Sequence, residues 1–361
     1  MSFSFGKSLS MHVFGESHGE LVGVVVEGFP PGIRIDENKI QNELDKRRPG
    51  GSKLVTTRSE GDILKISSGV LEGISTGAPI SMTIINQDAR SDTYEGFKNV
   101  PRPGHADYPA TIKYNGYNDI RGSGIFSGRM TAAFVMAGSL ARTLLEKRGI
   151  SIFAHIVQIG EVKAKKISKT DNINMESLDK RLVCADIRTG KKMAELINNV
   201  WEEGDSIGSK IECIVEGVPS GIGEPMFDSV ESVLSHAMFS IPSIKSISFG
   251  SGADCASMRG SEFNDDYIYE NGKIKTKSNH NGGIVGGLSN GMPIVFHVTS
   301  KPTPSISKTQ DTIDLKKHKN CKINIQGRHD PCIGIRALPV VENMTAFCLA
   351  DFIMRCEKWT S

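Results

Sequence analysis

The chain reads Gly15-Glu16-Ser17-His18-Gly19 and then Val26-Glu27-Gly28-Phe29-Pro30-Pro31-Gly32-Ile33, and it repeats this pattern later. The second copy lies at a constant offset of 189 residues and reads Gly204-Asp205-Ser206-Ile207-Gly208, then Val215-Glu216-Gly217-Val218-Pro219-Ser220-Gly221-Ile222. A further pair follows at an offset of 214: Gly73-Ile74-Ser75-Thr76-Gly77-Ala78-Pro79-Ile80 and Gly287-Leu288-Ser289-Asn290-Gly291-Met292-Pro293-Ile294. The repeat predicts a single domain over residues 1–361, with two similar halves (about 10–150 and 200–345) around a pseudo-two-fold axis. Chance similarity in a glycine-rich chain is the alternative.

The segments around the repeat predict an α+β fold. Residues 22–26 and 211–215 are β-branched runs that end in glycine and proline turn signals, as strands do. Asp36 is placed to cap a helix that Pro49 closes, with Ile35 and Ile40 as a hydrophobic staple. Helical segments without regular βαβ alternation are typical of the α+β class.

Two further helices are predicted from caps and apolar spacing. Ser127 is placed to cap a long helix that ends before Gly149, and Asp228 to cap another. The polar stretch from about Glu161 to Arg181 is expected to be surface or a flexible insertion. The first helix has an apolar stripe at the spacing of one buried face, formed by Met130, Ala133, Phe134, Ala137, Leu140, Ala141, Leu144 and Leu145.

The composition favours a soluble globular protein and hints at a ligand site built from loops. Glycine accounts for 38 residues, about one in ten, against a usual share of roughly 7%. Many positions therefore serve tight turns or close backbone approach. The formal net charge is only +2, and no long Lys/Arg run is present, which argues against nucleic-acid binding.

The cysteines and the apolar segments indicate a reduced, cytoplasmic protein. Seven cysteines are scattered without any C-x-x-C pair, so we expect neither a disulfide framework nor a metal site. The first residues lack the basic and apolar regions of a signal peptide. No apolar run approaches ~18 residues, so no membrane span is expected.

Several arginines lie within two residues of glycine, proline or serine in predicted loops or at helix ends. A guanidinium in such a place is suited to binding planar anions with two hydrogen bonds. These arginines are Arg47, Arg48, Arg102, Arg121, Arg129, Arg328 and Arg336.

His18 is the residue that distinguishes the two copies of the repeat. The glycines and the serine recur in the second copy, which is explained by turn geometry alone. The counterpart of His18 is Ile207, so the turn itself does not require histidine. This asymmetry makes His18 a catalytic candidate, and an ordinary loop histidine is the alternative.

His105 and Asp330 are candidates for acid–base chemistry. His105 lies in Arg102-Pro103-Gly104-His105-Ala106-Asp107, where a cation and a carboxylate flank the imidazole. Asp330 lies in Gly327-Arg328-His329-Asp330-Pro331 beside an apolar segment, so burial can shift its pKa. Charged surface turns are the alternative at both places.

Two more segments suit an anionic ligand. Residues 121–129 open the long helix, where exposed N–H groups attract anions and the cation of Arg129 is unfavourable unless a phosphate or carboxylate ligand also binds. The glycine spacing there does not match the dinucleotide-binding fingerprint. Residues 301–305, Lys-Pro-Thr-Pro-Ser, offer a cation and two hydroxyls on a stiff backbone.

Taken together, the motifs resemble the chorismate synthase family. They occur in the family's order from residue 14 to about 342: FGESHG, EGxPPGI, RRPG, RPGHADY, the S-G-R helix start, SIPSIK, SNHNGGIVGG, KPTPS and GRHDPCIGIRALPVVE. The resemblance implies a lyase that converts 5-enolpyruvylshikimate 3-phosphate to chorismate by a 1,4-elimination of phosphate and requires reduced FMN. It also implies a β-α-β sandwich with internal pseudo-symmetry that assembles as a homotetramer.

The resemblance assigns roles to residues that match its motifs. His18 would help to protonate reduced FMN, His105 would act as a general acid for the departing phosphate, and Asp330 would help to remove the ring proton. The substrate would be bound by Arg47, Arg48, Arg129 and Arg336. The cofactor would be bound by Ser127, Pro242, Ser243, Gly286, Lys301, Pro302, Thr303, Pro304, Ser305 and Arg328.

Some features depart from the family or leave alternatives open. Ile125-Phe126 stands where relatives have Arg-Ser or Arg-Ala, Lys53 where arginine is common, and Met130 where glutamate is frequent. A phosphatase-like hydrolase and a non-catalytic flavin- or anion-binding protein are the rival functions. Some relatives reduce their flavin with NADPH; the compact length favours an external flavin reductase here.

Overall fold

A computed structural model describes residues 3–52, 54–56, 61–87, 94–165, 181–325, 327 and 329–356. Lys53, Arg328 and residues 166–180 of the polar stretch lie outside the described residues. The predictions made for them are therefore not addressed by the structure.

Strands are supplied by both halves of the chain. In chain order they are β1 Ser4–Gly6, β2 Ser10–Gly15, β3 Leu21–Glu27, β4 Lys65–Ser68, β5 Val70–Leu71, β6 Ile74–Ser75, β7 Ile80–Ile85, β8 Ser151–Ile159, β9 Val162–Lys163, β10 Ser209–Glu216, β11 Ile244–Phe249, β12 Tyr267–Glu270, β13 Lys273–Thr276, β14 Ile284–Val285, β15 Leu288–Ser289, β16 Ile294–Ser300, β17 Gln310–Asp314 and β18 Lys319–Ile323.

Helices fill the intervals between the strands. The α-helices are α1 Glu37–Arg47, α2 Asp107–Lys113, α3 Thr131–Glu146, α4 Ile187–Glu202, α5 Val230–Phe239, α6 Gly260–Phe263 and α7 Gly334–Cys356. Short 3₁₀ turns occur at Glu95–Lys98, Arg121–Phe126, Gly128–Met130, Met226–Asp228 and Gly252–Ser257.

Two five-stranded sheets have matching topologies. The first has the order β1-β2-β3-β7-β4, and the second has the order β9-β8-β10-β16-β11, with antiparallel neighbours throughout. The run β2-β3-β7-β4 therefore corresponds to the run β8-β10-β16-β11. The sequence similarity between the halves is accordingly a structural duplication, whereas the single-domain boundary stays a prediction.

A buried serine makes the same two hydrogen bonds in each half of the chain. The hydroxyl of Ser75 accepts from a backbone N–H at 2.9 Å and donates to a proline carbonyl at 2.6 Å. Ser289 makes the same two bonds at the same distances. The N–H and carbonyl groups belong to Ile33 and Pro30 in the first half, and to Ile222 and Pro219 in the second.

Helices α3 and α7 lie between the two sheets and form the middle layer of a β-α-β sandwich, and α1 and α5 pack on them. Helix α3 packs against the first sheet, α7 packs against the second, and the two helices pack against each other. Gly138 permits a close crossing, because a Cβ atom there would lie 2.1 Å from the carbonyl oxygen of Asn343. The predicted α+β sandwich is confirmed.

Helix α7 is the most enclosed element of this layer. It is the one helix among the described residues that is long and apolar enough to cross a membrane, but 94% of its most apolar window is buried. A helix that is apolar on all sides is expected where it packs between two sheets.

The helix caps agree with the sequence in two cases and differ in one. Asp36 caps α1 by accepting from the N–H of Asn38, and Ser127 caps the 3₁₀ turn that leads into α3. The prediction that Asp228 caps α5 was wrong, because Ser229 does so. Asp228 lies in the preceding turn, and its carboxylate pairs with Lys7.

Because Ser75 and Ser289 make equivalent buried hydrogen bonds, Ser75→Ala and Ser289→Ala are expected to destabilise the fold equally. Each substitution removes the side-chain partner of a partly or fully buried N–H and of a partly buried carbonyl, which costs about 1–3 kcal/mol. Urea unfolding followed by circular dichroism measures the loss, with exposed Ser261→Ala as the control. If only one of the two substitutions lowered the free energy of unfolding, the structural equivalence of the two serines would be contradicted.

Candidate active site

A cleft opens where the ends of the central helices meet. It encloses about 960 Å³ of empty space, including the part open to solvent. A second lobe of about 610 Å³ adjoins it and shares four lining residues: Ser17, Ser127, Asp330 and Arg336. His18, Arg47 and Arg129 line the first lobe, and His105 lines the second. The three predicted catalytic residues therefore share one continuous cavity.

The loop that carries His18 is held against the turn before α3. The N–H of Ser17 donates to the carbonyl of Gly124 at 3.3 Å. The imidazole of His18 meets Tyr94 edge to face, with ring centroids 5.0 Å apart. Gly122 has φ +56°, and a Cβ atom there would lie 2.2 Å from Nδ1 of His18. A side chain at position 122 would thus displace the imidazole.

The equivalent turn in the second half has a packing role. The N–H of Ile207 donates to the carbonyl of Pro331 at 2.9 Å. The Ile207 side chain packs closely on Gly160 and joins the hydrophobic core. The turn is thus kept in both halves, while its central side chain enters the core in one and the cleft in the other.

The loop that presents His105 is closed by an ion pair. Arg102 donates from Nε and Nη2 to the two carboxylate oxygens of Asp107, at 2.8 Å each. The guanidinium also lies over the ring of Phe97, 4.8 Å from its centroid. The cation and carboxylate that flank His105 in sequence therefore pair with each other and not with the imidazole.

His105 is held as a neutral imidazole in the unliganded protein. Its Nδ1–H donates to the carbonyl of Pro103 at 3.0 Å, which leaves Nε2 to accept from the hydroxyl of Ser305 at 2.8 Å. Burial and then the nearby Arg102 guanidinium lower the pKa of His105 from 6.5 to about 4.

The segment from Lys301 to Ser305 packs on the His105 loop. Lys301 donates from Nζ to the carbonyl of Gly104 at 2.6 Å, and Pro304 packs against the same glycine. Burial and then the charge of Lys245 lower the pKa of Lys301. The buried hydroxyl of Thr303, which lines the second lobe, has no hydrogen-bond partner among the described residues.

Asp330 is fixed between the backbone and an arginine. One oxygen accepts from the N–H of Thr56 at 2.9 Å, and the other accepts from Nη1 of Arg336 at 2.6 Å. Arg336 also donates from Nε to the carbonyl of Arg47 at 3.1 Å. Asp330 is buried, as its apolar neighbours in the sequence predicted.

Arg47 and Arg129 share one buried carboxylate. Arg47 donates from Nη1 to Oδ2 of Asp62 at 2.9 Å, and Arg129 donates to Oδ1 of the same residue. Arg47 also donates from Nε to the hydroxyl of Thr131 at 3.1 Å. The sequence led us to expect a ligand anion beside Arg129, whereas the structure supplies an anion from the chain itself.

Asn86 connects Arg129 to the His18 loop. Its Oδ1 accepts from Nε of Arg129 at 3.0 Å. Its Nδ2 donates to the carbonyl of Glu16 at 3.0 Å and to that of Gly19 at 2.8 Å. The amide therefore bridges the two ends of the loop and the guanidinium.

Other predicted binding residues differ in how near they lie to the cleft. Pro242 lines the first lobe, and Pro302 packs against Gly208. The following residues do not line either lobe: Arg48, which pairs with Asp45 at 3.2 Å; Ser243, with φ +81° and a buried hydroxyl; and Gly286, in the turn between β14 and β15. Arg328 lies outside the described residues.

Sequence reasoning missed Asp62, Asn86 and Thr56. None of them belongs to a glycine-rich motif, and each acts through partners far away in the chain. His329 also lines the second lobe and was noted only as a neighbour of Asp330. Among the described residues no cluster of His, Cys, Asp and Glu is arranged to bind a metal ion.

Known proteins that resemble this chain carry the same family name. The sequence matches the family profile "Chorismate synthase" over residues 9–354. Curated proteins named chorismate synthase are 48% identical in Korarchaeum cryptofilum, over 97% of both chains, and 46% identical in Pyrococcus abyssi, over 98% of both chains. A solved structure entitled "Crystal Structure of Chorismate Synthase" superposes with a TM-score of 0.76 at 27% identity, covering 98% of this chain and 93% of the other. The chain therefore belongs to the chorismate synthase family of lyases.

Proposed function

We propose that the chain converts 5-enolpyruvylshikimate 3-phosphate to chorismate and inorganic phosphate with reduced FMN as its cofactor. The observation that supports this most is a cleft of two adjoining lobes that gathers four guanidinium groups, three imidazoles and a carboxylate. Family membership supports chorismate synthesis, and the cavity supports the assignment of residues to it.

The charge of the substrate matches the charge of the first lobe. The substrate carries two carboxylates and a phosphate, while the whole chain has a formal charge of only +2. Arginines concentrated in one cleft therefore supply the attraction that the whole protein does not. Each close pair of opposite charges contributes about 4 kcal/mol at an effective dielectric of 20, before the cost of desolvation.

In the proposed 1,4-elimination the C–O bond to phosphate and a ring C–H bond break, and the ring double bond between them shifts. The ring then contains two C=C bonds in place of one, and the proton and phosphate leave without net oxidation. We assign removal of the ring proton to the side of the cleft where Asp330 lies. Arg336 holds the carboxylate of Asp330 in place by a hydrogen bond. We assign His18 to hold a proton for the reduced cofactor.

His105 is suited to receive a proton when an anion binds. In the unliganded protein its low pKa keeps it neutral at pH 7. A phosphate group bound in the second lobe would oppose the field of Arg102 and raise the pKa of His105. A protonated His105 could then donate from Nε2, which faces Ser305, to the departing phosphate.

The second lobe fits the polar parts of a flavin. The unpartnered hydroxyl of Thr303 and the hydroxyls of Ser127 and Ser305 line this lobe and offer hydrogen bonds to a carbonyl-rich ligand, while the Lys301 ammonium donates to the backbone of the adjacent His105 loop. Pro242 adds an apolar surface in the adjoining lobe. Reduced FMN, when bound, would supply an electron that is returned within the turnover.

A phosphatase-like hydrolase and a non-catalytic flavin- or anion-binding protein are the rivals for the same cleft. A hydrolase needs no flavin to release phosphate, and a binder has no turnover to lose. The catalytic imidazole present in one half only favours an enzyme. The chain is expected to work in the cytoplasm with FMN reduced by an external reductase and not by its own oxidation of NADPH.

A homotetramer is expected in solution. The outer face of the first sheet leaves Phe14 40% exposed and Ile85 62% exposed, and exposed apolar groups of this kind suit contact with other copies. Light scattering should give the mass of four 39.2 kDa chains. A monomer at micromolar concentration would contradict the expectation.

Under anaerobic conditions, chorismate and phosphate are expected to form in equal amounts only when reduced FMN is added. His18→Ala and His105→Ala should each lower the turnover about a hundredfold or more, the usual cost of losing a general acid or base. His12→Ala, at a half-exposed position on the first sheet, is the control and should stay close to wild type. Phosphate released without chorismate would instead indicate a hydrolase.

In unliganded protein the imidazole of His105 is expected to stay neutral as the pH falls from 8 to about 5. Burial and the Arg102 charge lower its pKa to about 4, so protonation begins only below that range. Because the pKa in the folded state lies below that of the unfolded chain, stability should fall as the pH drops from 6.5 towards 4. NMR titration, with His105→Gln to assign the resonance, measures the midpoint. A midpoint near 6.5 without ligand would contradict the buried, neutral assignment.

A further inference from the structure

We infer that Asp62 and Asn86 are positioning residues that hold Arg47 and Arg129 in fixed relation to the loop that carries His18. The inference rests on the proposed function in one respect, namely that the two arginines bind the anionic substrate. Neither residue belongs to the motifs from which the catalytic and binding roles were assigned.

Asp62 allows two guanidinium groups to lie side by side in a buried place. Its side chain is fully buried, and each carboxylate oxygen accepts from a different arginine. Its backbone has φ +44°, a left-handed conformation that aspartate adopts more readily than most residues. The bonds from its two oxygens to two different arginines indicate that its placement between Arg47 and Arg129 is specific.

The charge count at this place matters for binding. Two guanidiniums without a carboxylate would repel each other and would both need desolvation. With Asp62 between them, the three side chains together carry one net positive charge. The hydrogen bonds to Asp62 fix the position of each guanidinium. Asp62 is not among the residues that line the cleft, so it acts through the arginines and not by touching the substrate.

Asn86 has its amide orientation determined by its neighbours. Two carbonyl oxygens, of Glu16 and Gly19, face Nδ2, and the Nε–H of Arg129 faces Oδ1. The opposite orientation would set the amide N–H₂ against an N–H donor and the amide oxygen against two carbonyls. Both N–H donors of Asn86 are therefore used within the protein, although the residue lines the cleft.

These bonds form a continuous chain of contacts. It runs from Arg47 through Asp62 to Arg129, then through Asn86 to the loop of His18. Helix α1 contributes the first member, and the turn before α3 contributes the third. Together with Asp62, with Asn86 after β7 and with the His18 loop, five separate segments of the chain are joined by these polar contacts, in addition to the packing of α1 on α3.

The duplication supplies an independent observation. At the offset of 214 that relates β7 to β16, the counterpart of Asn86 is Ser300. Ser300 bonds to the hydroxyl of Ser209 at 2.9 Å and spans no loop. The bridging amide therefore occurs only in the first half, whose turn carries His18 where the second half has Ile207. A bridge needed merely to close the turn would be needed in both halves.

Asp62→Asn tests the link between the arginines. The amide keeps the volume but removes the charge, and its N–H₂ must face one guanidinium. Loss of a charged hydrogen bond is expected to weaken substrate binding about tenfold or more, with a smaller change in kcat. Calorimetry with 5-enolpyruvylshikimate 3-phosphate and flavin-free protein measures the Kd without turnover.

Asn86→Asp tests the link to the loop. A carboxylate keeps the acceptor for Arg129 but has no N–H to donate, so it repels the carbonyls of Glu16 and Gly19. We expect kcat to fall about tenfold or more, since the lost N–H bonds fall on the loop, and we expect Kd to rise as well, because the carboxylate adds a negative charge beside Arg129. Exposed Asp266→Asn and Asn38→Asp are matched controls.

The two variants together decide the inference. A higher Kd for the substrate in Asp62→Asn together with a lower kcat in Asn86→Asp supports it. A wild-type Kd in Asp62→Asn overturns it, and so does a wild-type kcat in Asn86→Asp, or losses in either variant that match only the folded fraction from thermal unfolding. If the wild type binds the substrate but makes no chorismate, the proposed function fails, and the Kd of Asp62→Asn still tests the binding link.

Discussion

The crossing of α3 and α7 between the two sheets is the contact on which the rest of the structure depends. At Gly138 the helix backbones approach so closely that a Cβ atom would meet the carbonyl of Asn343. This crossing brings the start of α3 and the start of α7 to the same edge of the helical layer. Arg129 precedes one helix and Asp330 precedes the other, while Arg47 ends α1 nearby. The cleft is therefore a consequence of how the middle layer packs.

Buried charge is balanced within the site by carboxylates of the chain. Asp62 neutralises part of the charge of Arg47 and Arg129, Asp330 does so for Arg336, and Asp107 binds Arg102. Unpaired guanidiniums in these places would be costly to desolvate, and unpaired carboxylates would be protonated. The pairs leave a positive surplus in the first lobe and a neutral imidazole, His105, in the second. An anion that binds in the cavity would alter both the net charge of the first lobe and the protonation of His105.

A symmetric scaffold carries an asymmetric site. The two sheets share their strand order, and Ser75 and Ser289 make the same hydrogen bonds. The functional groups do not follow this symmetry, since the counterparts of His18 and Asn86 are Ile207 and Ser300. The second half uses those positions for packing and a local hydroxyl pair. Duplication thus explains the frame, while divergence at a few turn positions explains the chemistry.

The sequence by itself determined the repeat, the α+β class, the cap of α1 and the loops that carry His18, His105 and Asp330. Turn and cap signals are local, so they are readable from a few consecutive residues. Only the tertiary structure decided that Asp62 lies between Arg47 and Arg129, and that Asn86 spans the His18 loop. Their hydrogen-bond partners are distant in sequence, and no periodicity in the sequence predicts such pairs. The error at Asp228 has the same origin at short range, since Ser229 offered an equally good cap one residue later.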